Sequence, residues 1–113
     1  MDSCLFCSII DGSIPSTKVY EDDKVFAFRD INPQAPTHIL VVPKKHYSDV
    51  ADCAGNDPEL AGYLLKVCAL IAKQEGLENG FRLITNCGPD ACQSVKHMHV
   101  HILGGTQLAD KMC

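Results

Sequence analysis

The spacing of apolar residues changes several times along this chain, and each change marks an element. Cys4 to Ile10 is a short apolar stretch that predicts one or two turns of helix, stopped by Gly12 and Pro15. Lys18-Val19-Tyr20 begins extended structure, and Glu21-Asp22-Asp23 predicts a turn. Val25, Ala27 and Arg29 alternate with Phe26 and Phe28, as in a strand packed on both faces. The prolines of Asn32-Pro33-Gln34-Ala35-Pro36 restrict it to a loop, and His38 to Val42 is a nearly all-apolar strand ended by Pro43. A long helix follows, with Asp57 as N-cap, Pro58 at its first position, Leu60, Leu64, Val67 and Ile71 at helical spacing, and Gly76 closing it. Asn79-Gly80 turns the chain into the strand Phe81 to Thr85. A loop from Asn86 to Gln93 leads to the last strand, Lys96 to Leu103, which Gly104-Gly105 ends. Short connections between strands favour antiparallel pairing, so the expected class is α+β: an antiparallel five-stranded sheet, one long helix and a short N-terminal helix.

Length and composition narrow this picture. The 113 residues suit one domain, 1–113, and 46% hydrophobic with 21% charged residues is ordinary for a globular protein. A net charge of −4 and no basic patch beyond Lys44-Lys45 argue against nucleic acid as a partner. No apolar run reaches the roughly 20 residues that span a bilayer, and Met1-Asp2-Ser3-Cys4 lacks the character of an export signal. A cytoplasmic protein is expected, with the nucleus open. Seven cysteines would suit a disulfide scaffold in a secreted chain, but the number is odd. Cys113 stands last rather than fourth from the end, so it is no prenylation signal. Only Cys4 and Cys7 form a spaced pair, which has the spacing of half a tetrahedral zinc site; alone it is ambiguous among zinc, redox chemistry and chance, and the redox reading lacks the thioredoxin-like βαβ context it needs.

The candidate chemistry lies in the last strand. Alternation places His97, His99 and His101 on one face and Met98, Val100 and Ile102 on the other. Three imidazoles in a row are an unusual solvent surface for a strand, which leaves metal binding, catalysis or a roleless surface as the readings.

The surrounding residues bear on that choice. Gln93-Ser94-Val95-Lys96-His97-Met98-His99-Val100-His101-Ile102-Leu103-Gly104-Gly105 resembles the signature of the histidine-triad (HIT) family, specifically its Hint branch, the purine nucleoside phosphoramidases that are protein kinase C inhibitor-like. Arg29 to His46, with Asp30, Asn32-Pro33 and Pro43-Lys44-Lys45-His46, resembles the same branch, as does Cys4-Leu5-Phe6-Cys7-Ser8-Ile9-Ile10. The likeness covers residues 4–105.

The resemblance implies cleavage at a nucleotide α-phosphate through a covalent nucleotidyl-histidine. By position His99 matches the nucleophile, and His101 the group that holds the phosphate oxygens. His97 and His38 match residues that orient these two. A neutral imidazole is a competent nucleophile when its other nitrogen is held, so a backbone carbonyl partner is expected for His99. Ser94 matches the residue that hydrogen-bonds the leaving group, while Asn86 and the backbone around Cys92 match the phosphate loop. Asp30 matches the carboxylate that accepts the ribose hydroxyls. Leu5, Phe6, Ile9, Phe28, Ile31 and Leu40 match the purine cleft; read without the family they are ordinary core residues.

The implied reaction is hydrolysis of purine nucleoside 5′-phosphoramidates, giving AMP or GMP and an amine. Dinucleoside polyphosphate hydrolysis ranks second, because Gly104-Gly105 stands where that sister branch carries Pro-Arg. The transferase branch related to galactose-1-phosphate uridylylation ranks third, since its members are much longer, and a nucleotide-binding or zinc-containing scaffold protein with little catalysis is the alternative outside these reactions. Relatives that carry the cysteine pair complete a structural zinc site with two histidines, which here are His46 and His97. A homodimer through the long helix and a strand is also implied. The chain departs from the branch after Gly105, where a Trp-containing tail is usual and Thr106 to Cys113 contain neither Trp nor Pro, and at Cys92, where a small residue is usual.

Overall fold

The structure, a computed structural model, describes residues 4–111. The readings placed on Met1–Ser3 and on Cys113 lie outside these residues. Helix α1 spans Leu5–Ile10, and its first turn is closed by Cys4, whose Sγ accepts the Cys7 N–H at 3.3 Å. Strands β1 (Lys18–Glu21), β2 (Val25–Arg29) and β3 (Thr37–Pro43) follow as an antiparallel meander. Helices α2 (Val50–Asn56) and α3 (Pro58–Gln74) come next, then β4 (Phe81–Ile84) and β5 (Val100–Gly104). The five strands form one sheet of order β1-β2-β3-β5-β4, antiparallel throughout. The expected α+β class and sheet are thus present, with the long helix capped where the sequence places its cap: Asp57 Oδ1 accepts from Leu60 N at 3.3 Å.

Helix α2 has no counterpart in the sequence reading. Its Gly55 and Asn56 hide the apolar period, and only Cys53 is buried along it. Asp49 caps it, accepting from Asp52 N at 2.8 Å. A single turn of 3-10 helix, Pro89–Ala91, also lies inside the expected loop.

The largest correction concerns the last strand, which begins at Val100 rather than at Lys96. Residues 96–99 leave the sheet because their polar groups are claimed elsewhere. The Met98 N–H donates to Tyr47 O at 2.7 Å, and the His97 ring Nε2–H donates to Pro43 O at 2.8 Å. Both acceptors lie at or beyond the end of β3, so the segment is bound to the connection leaving β3.

The sheet buries two distinct faces. On one, Val25, Ala27, Ile39, Val41, Val100 and Ile102 pack against Leu60, Leu64, Val67 and Ile71 of α3. On the other, Phe26, Phe28, Leu40 and Val42 pack against Phe6 and Ile9 of α1. Six residues of helix cannot hold themselves together in water; α1 persists because Phe6 and Ile9 are buried on the sheet. Among the described residues no helix is long and apolar enough to cross a membrane.

Leu64 is fully buried at the centre of the α3 face. Truncation to alanine there, Leu64→Ala, is expected to cost about 2–5 kcal/mol, read as a lower midpoint with unchanged slope in urea unfolding.

Candidate functional site

The α1 face of the sheet carries the histidines. His38 stands on β3 next to Leu103 of β5, and His101 on β5 next to Leu40 of β3. His97 and His99 precede β5 but point to the same side, because the Phe6 ring meets both edge-on, at 6.0 Å and 5.0 Å between centroids. Met98, Val100 and Ile102 face α3. The alternation read from the sequence therefore persists although only part of the run is strand.

Backbone partners assign the protons. The Gln34 N–H donates to His38 Nδ1 at 3.0 Å, so that nitrogen is bare and the ring proton sits on Nε2. His38 Nε2–H donates to His101 Nδ1 at 2.8 Å, which leaves the His101 proton on its Nε2. His99 Nδ1 lies 2.7 Å from the His97 carbonyl oxygen; a carbonyl only accepts, so His99 carries its proton on Nδ1. When neutral, it presents the lone pair of Nε2. Thr85 Oγ1 donates to the His99 carbonyl at 2.8 Å and holds the backbone there. His99 is 4% exposed. Burial lowers its pKa, and burial together with the neighbouring His99 and His38 pushes the His101 imidazole down to about 4. The two rings, 5.2 Å apart, form a pair of neutral imidazoles with complementary roles: one offers a lone pair and the other an N–H.

The other expected site residues differ in how closely the structure ties them to this pair. Phe6, Ile9, Phe28 and Leu40 form one buried cluster, with Phe6 and Phe28 edge-to-face at 5.5 Å. Leu5 and Ile31 are 45% and 98% exposed and are not part of it. Asp30 Oδ1 accepts from Asn32 N at 2.8 Å, and its Oδ2 lies 3.5 Å from His38 Nε2. Asn86 lines a cavity of about 370 Å³ with His38, His101, Gln34 and Arg82. Ser94 and Cys92 are exposed in the 86–94 loop, and Cys92 has the left-handed backbone (φ 61°). Several contributors are invisible in the sequence. The Gln34 N–H, Pro43 carbonyl and Thr85 hydroxyl act through single hydrogen bonds that no motif reports. Gln93 holds the loop shut, accepting from Gly88 N at 2.9 Å and donating to Ser48 O at 2.6 Å.

A second cluster adjoins the first. One donor atom each from Cys4, Cys7, His46 and His97 lies within 4.8 Å of the others. A tetrahedral zinc ion demands N···N edges of about 3.3 Å and N···S edges of about 3.6 Å, from Zn–N and Zn–S bonds of about 2.05 and 2.3 Å. Here His46 Nδ1 to His97 Nδ1 is 3.1 Å, and the sulfur–nitrogen separations are 3.3 Å (Cys4 to His97), 3.4 Å (Cys7 to His46) and 3.5 Å (Cys7 to His97). The set fits zinc in donor type, number and spacing. The Pro43 carbonyl holds the far side of the His97 ring, as metal-bound histidines generally require. A further group of donors, Asp30, His38 and His101, also lies close together. It is a poor metal site, because the Gln34 N–H on Nδ1 keeps the His38 proton on the Nε2 that faces the other two.

The HIT domain profile matches residues 11–108. The "14 kDa zinc-binding protein" of Zea mays is 57% identical over 106 residues, covering 92% of this chain and 83% of the relative. "Adenylylsulfatase HINT1" of Arabidopsis thaliana is 50% identical over 106 residues, with 92% and 72% covered. A solved HIT family hydrolase from Clostridium thermocellum superposes with a TM-score of 0.94 at 41% identity, covering 100% of this chain and 99% of the other. The match to the family profile runs through the whole region that builds the histidine face, and the chain belongs to the HIT domain family, on its Hint branch.

Proposed function

We propose that this HIT-family hydrolase cleaves purine nucleoside 5′-phosphoramidates through a nucleotidyl intermediate on His99. The observation that carries the reading is the hydrogen bond from His99 Nδ1–H to His97 O at 2.7 Å, which aims the Nε2 lone pair beside an N–H donor on His101. Nε2 attacks the α-phosphorus, and the bond from phosphorus to the leaving nitrogen breaks. The nitrogen keeps the bonding pair and takes up a proton supplied from solvent through the Ser94 hydroxyl. The His101 Nε2–H, with Asn86 and the backbone near Cys92, bears the charge gathering on the phosphate oxygens. Water then attacks the same phosphorus and releases its proton to solvent. The P–Nε2 bond breaks, and its electron pair returns to His99. The base lies among Phe6, Ile9, Phe28 and Leu40, with Leu5 and Ile31 at the rim, and Asp30 takes the ribose hydroxyls.

The name of the Arabidopsis relative favours a second reading, adenylyl sulfate as substrate. The attack and intermediate are the same, and a P–O bond to sulfate breaks instead. The zinc-ligand set holds α1 on the sheet and supplies no reacting atom. We place the protein in the cytoplasm or nucleus, because thiolate ligands persist in reducing compartments. We also infer a homodimer through α3 and edge strand β4. An apolar groove between Gly62, Leu65, Leu83 and Val50 opens there, with Leu65 56% and Phe81 42% exposed.

His99→Ala is expected to abolish turnover of adenosine 5′-phosphoramidate and acid-labile labelling by nucleotide, while AMP binding survives; near wild-type turnover would refute the intermediate. Since His101 stays neutral down to about pH 4 rather than 6.5, kcat/KM is expected to hold its plateau below pH 6.5 as pH falls. An acid limb centred at or above 6.5 would contradict the neutral ring. Leu65→Asp is expected to leave a monomer in sedimentation; an unchanged dimer would move the interface elsewhere.

A further inference from the structure

The two clusters meet in one peptide unit. Its carbonyl, from His97, accepts the His99 Nδ1–H, and its N–H, from Met98, donates to Tyr47 O, both at 2.7 Å. Tyr47 is the neighbour of His46, and His97 carries the ring whose Nδ1 joins His46, Cys4 and Cys7. The peptide that aims His99 is thus fixed between His97, a member of the zinc-ligand set, and Tyr47, the residue that follows another member, His46. The backbone of His99 has a separate anchor in the Thr85 hydroxyl, so loss of the peptide's orientation would free the ring while leaving the chain in place. The third connection is Phe6, between Cys4 and Cys7 on α1. Its ring stands 5.0 Å from the His99 ring and is 5% exposed.

We infer that the Cys4, Cys7, His46 and His97 centre is the positioning device of the nucleophile: when occupied, it sets the rotamer of the His99 ring through the His97 carbonyl and Phe6. His97 is accordingly a positioning residue, and its imidazole acts on the reaction only through its own main chain. The inference rests on His99 being the attacking group, but the geometry it predicts is measurable without any reaction. It also separates two consequences of metal loss. Release of the 97–98 peptide turns the attacking lone pair away and lowers the rate of the chemical step. Release of α1 loosens Phe6 and Ile9 over the cleft and raises KM.

His46 is the ligand to change, because it is exposed and lies on the loop after β3. The full chain is purified with zinc as wild type, His46→Ala and His46→Cys, the last retaining a four-ligand set. Zinc content, melting temperature, the ¹⁵N-histidine spectrum and the single-turnover rate of His99 nucleotidylation are then recorded at a temperature where all three are folded. Expected for His46→Ala are loss of zinc, loss of the hydrogen-bonded Nδ1–H signal of His99, and nucleotidylation slowed by about tenfold or more. His46→Cys keeps zinc and the signal, and stays within about threefold of wild type. The inference is overturned if zinc-free His46→Ala retains both the His99 Nδ1–H signal and the wild-type rate. It is equally overturned if His46→Cys holds zinc yet loses the signal. A wild type that forms no adduct refutes the nucleotidyl reading, and the ¹⁵N spectra of the three proteins then decide the inference alone.

Discussion

The His97–Met98 peptide carries more constraints than its size suggests. On one side it holds the ring of His99, and on the other it binds Tyr47, while the His97 side chain reaches the Pro43 carbonyl and the sulfur atoms of α1. Each of these bonds draws residues 96–99 away from the sheet. A strand pairing at this position would have required the same N–H and C=O groups for its ladder. The site exists because the chain gives up four residues of regular strand.

That exchange has a physical logic. A nucleophilic imidazole needs one nitrogen held and the other bare, and a carbonyl is the one backbone group that fixes which is which. The same reasoning runs through the second pair, where the Gln34 N–H sets His38 and His38 sets His101. Two chains of hydrogen bonds, each starting from a backbone group, deliver a lone pair and an N–H to neighbouring positions. Burial keeps both rings neutral, since the charged forms are poorly solvated between α1 and the sheet.

The short helix α1 depends on this arrangement and supports it. It has too few residues to be stable alone, and its packing on Phe26, Phe28, Leu40 and Val42 is what brings Cys4 and Cys7 to the histidines. A zinc ion bound by that set would stabilise the folded chain over the unfolded one, because the four ligands converge only when both ends of the chain are in place. Cleft wall, metal ligands and nucleophile are consequently one unit of structure rather than three.

Much of this is legible in the sequence. The apolar period of α3 and its Asp57 cap, the alternation that separates Met98, Val100 and Ile102 from the histidines, and the Cys-x-x-Cys spacing all depend on local geometry, which sequence encodes directly. The motifs around Asp30, Ser94 and His99 carry the family. Tertiary structure alone decided the rest. It began β5 at Val100 rather than at Lys96, because the acceptors for residues 97 and 98 come from 54 and 51 positions earlier, at Pro43 and Tyr47. It placed α2, whose sequence is too weakly periodic to announce a helix. It also chose the proton positions on His38, His99 and His101. Which nitrogen of an imidazole is bare depends on the atom facing it, and those atoms are backbone groups that every residue possesses, so no pattern of side chains could have named them.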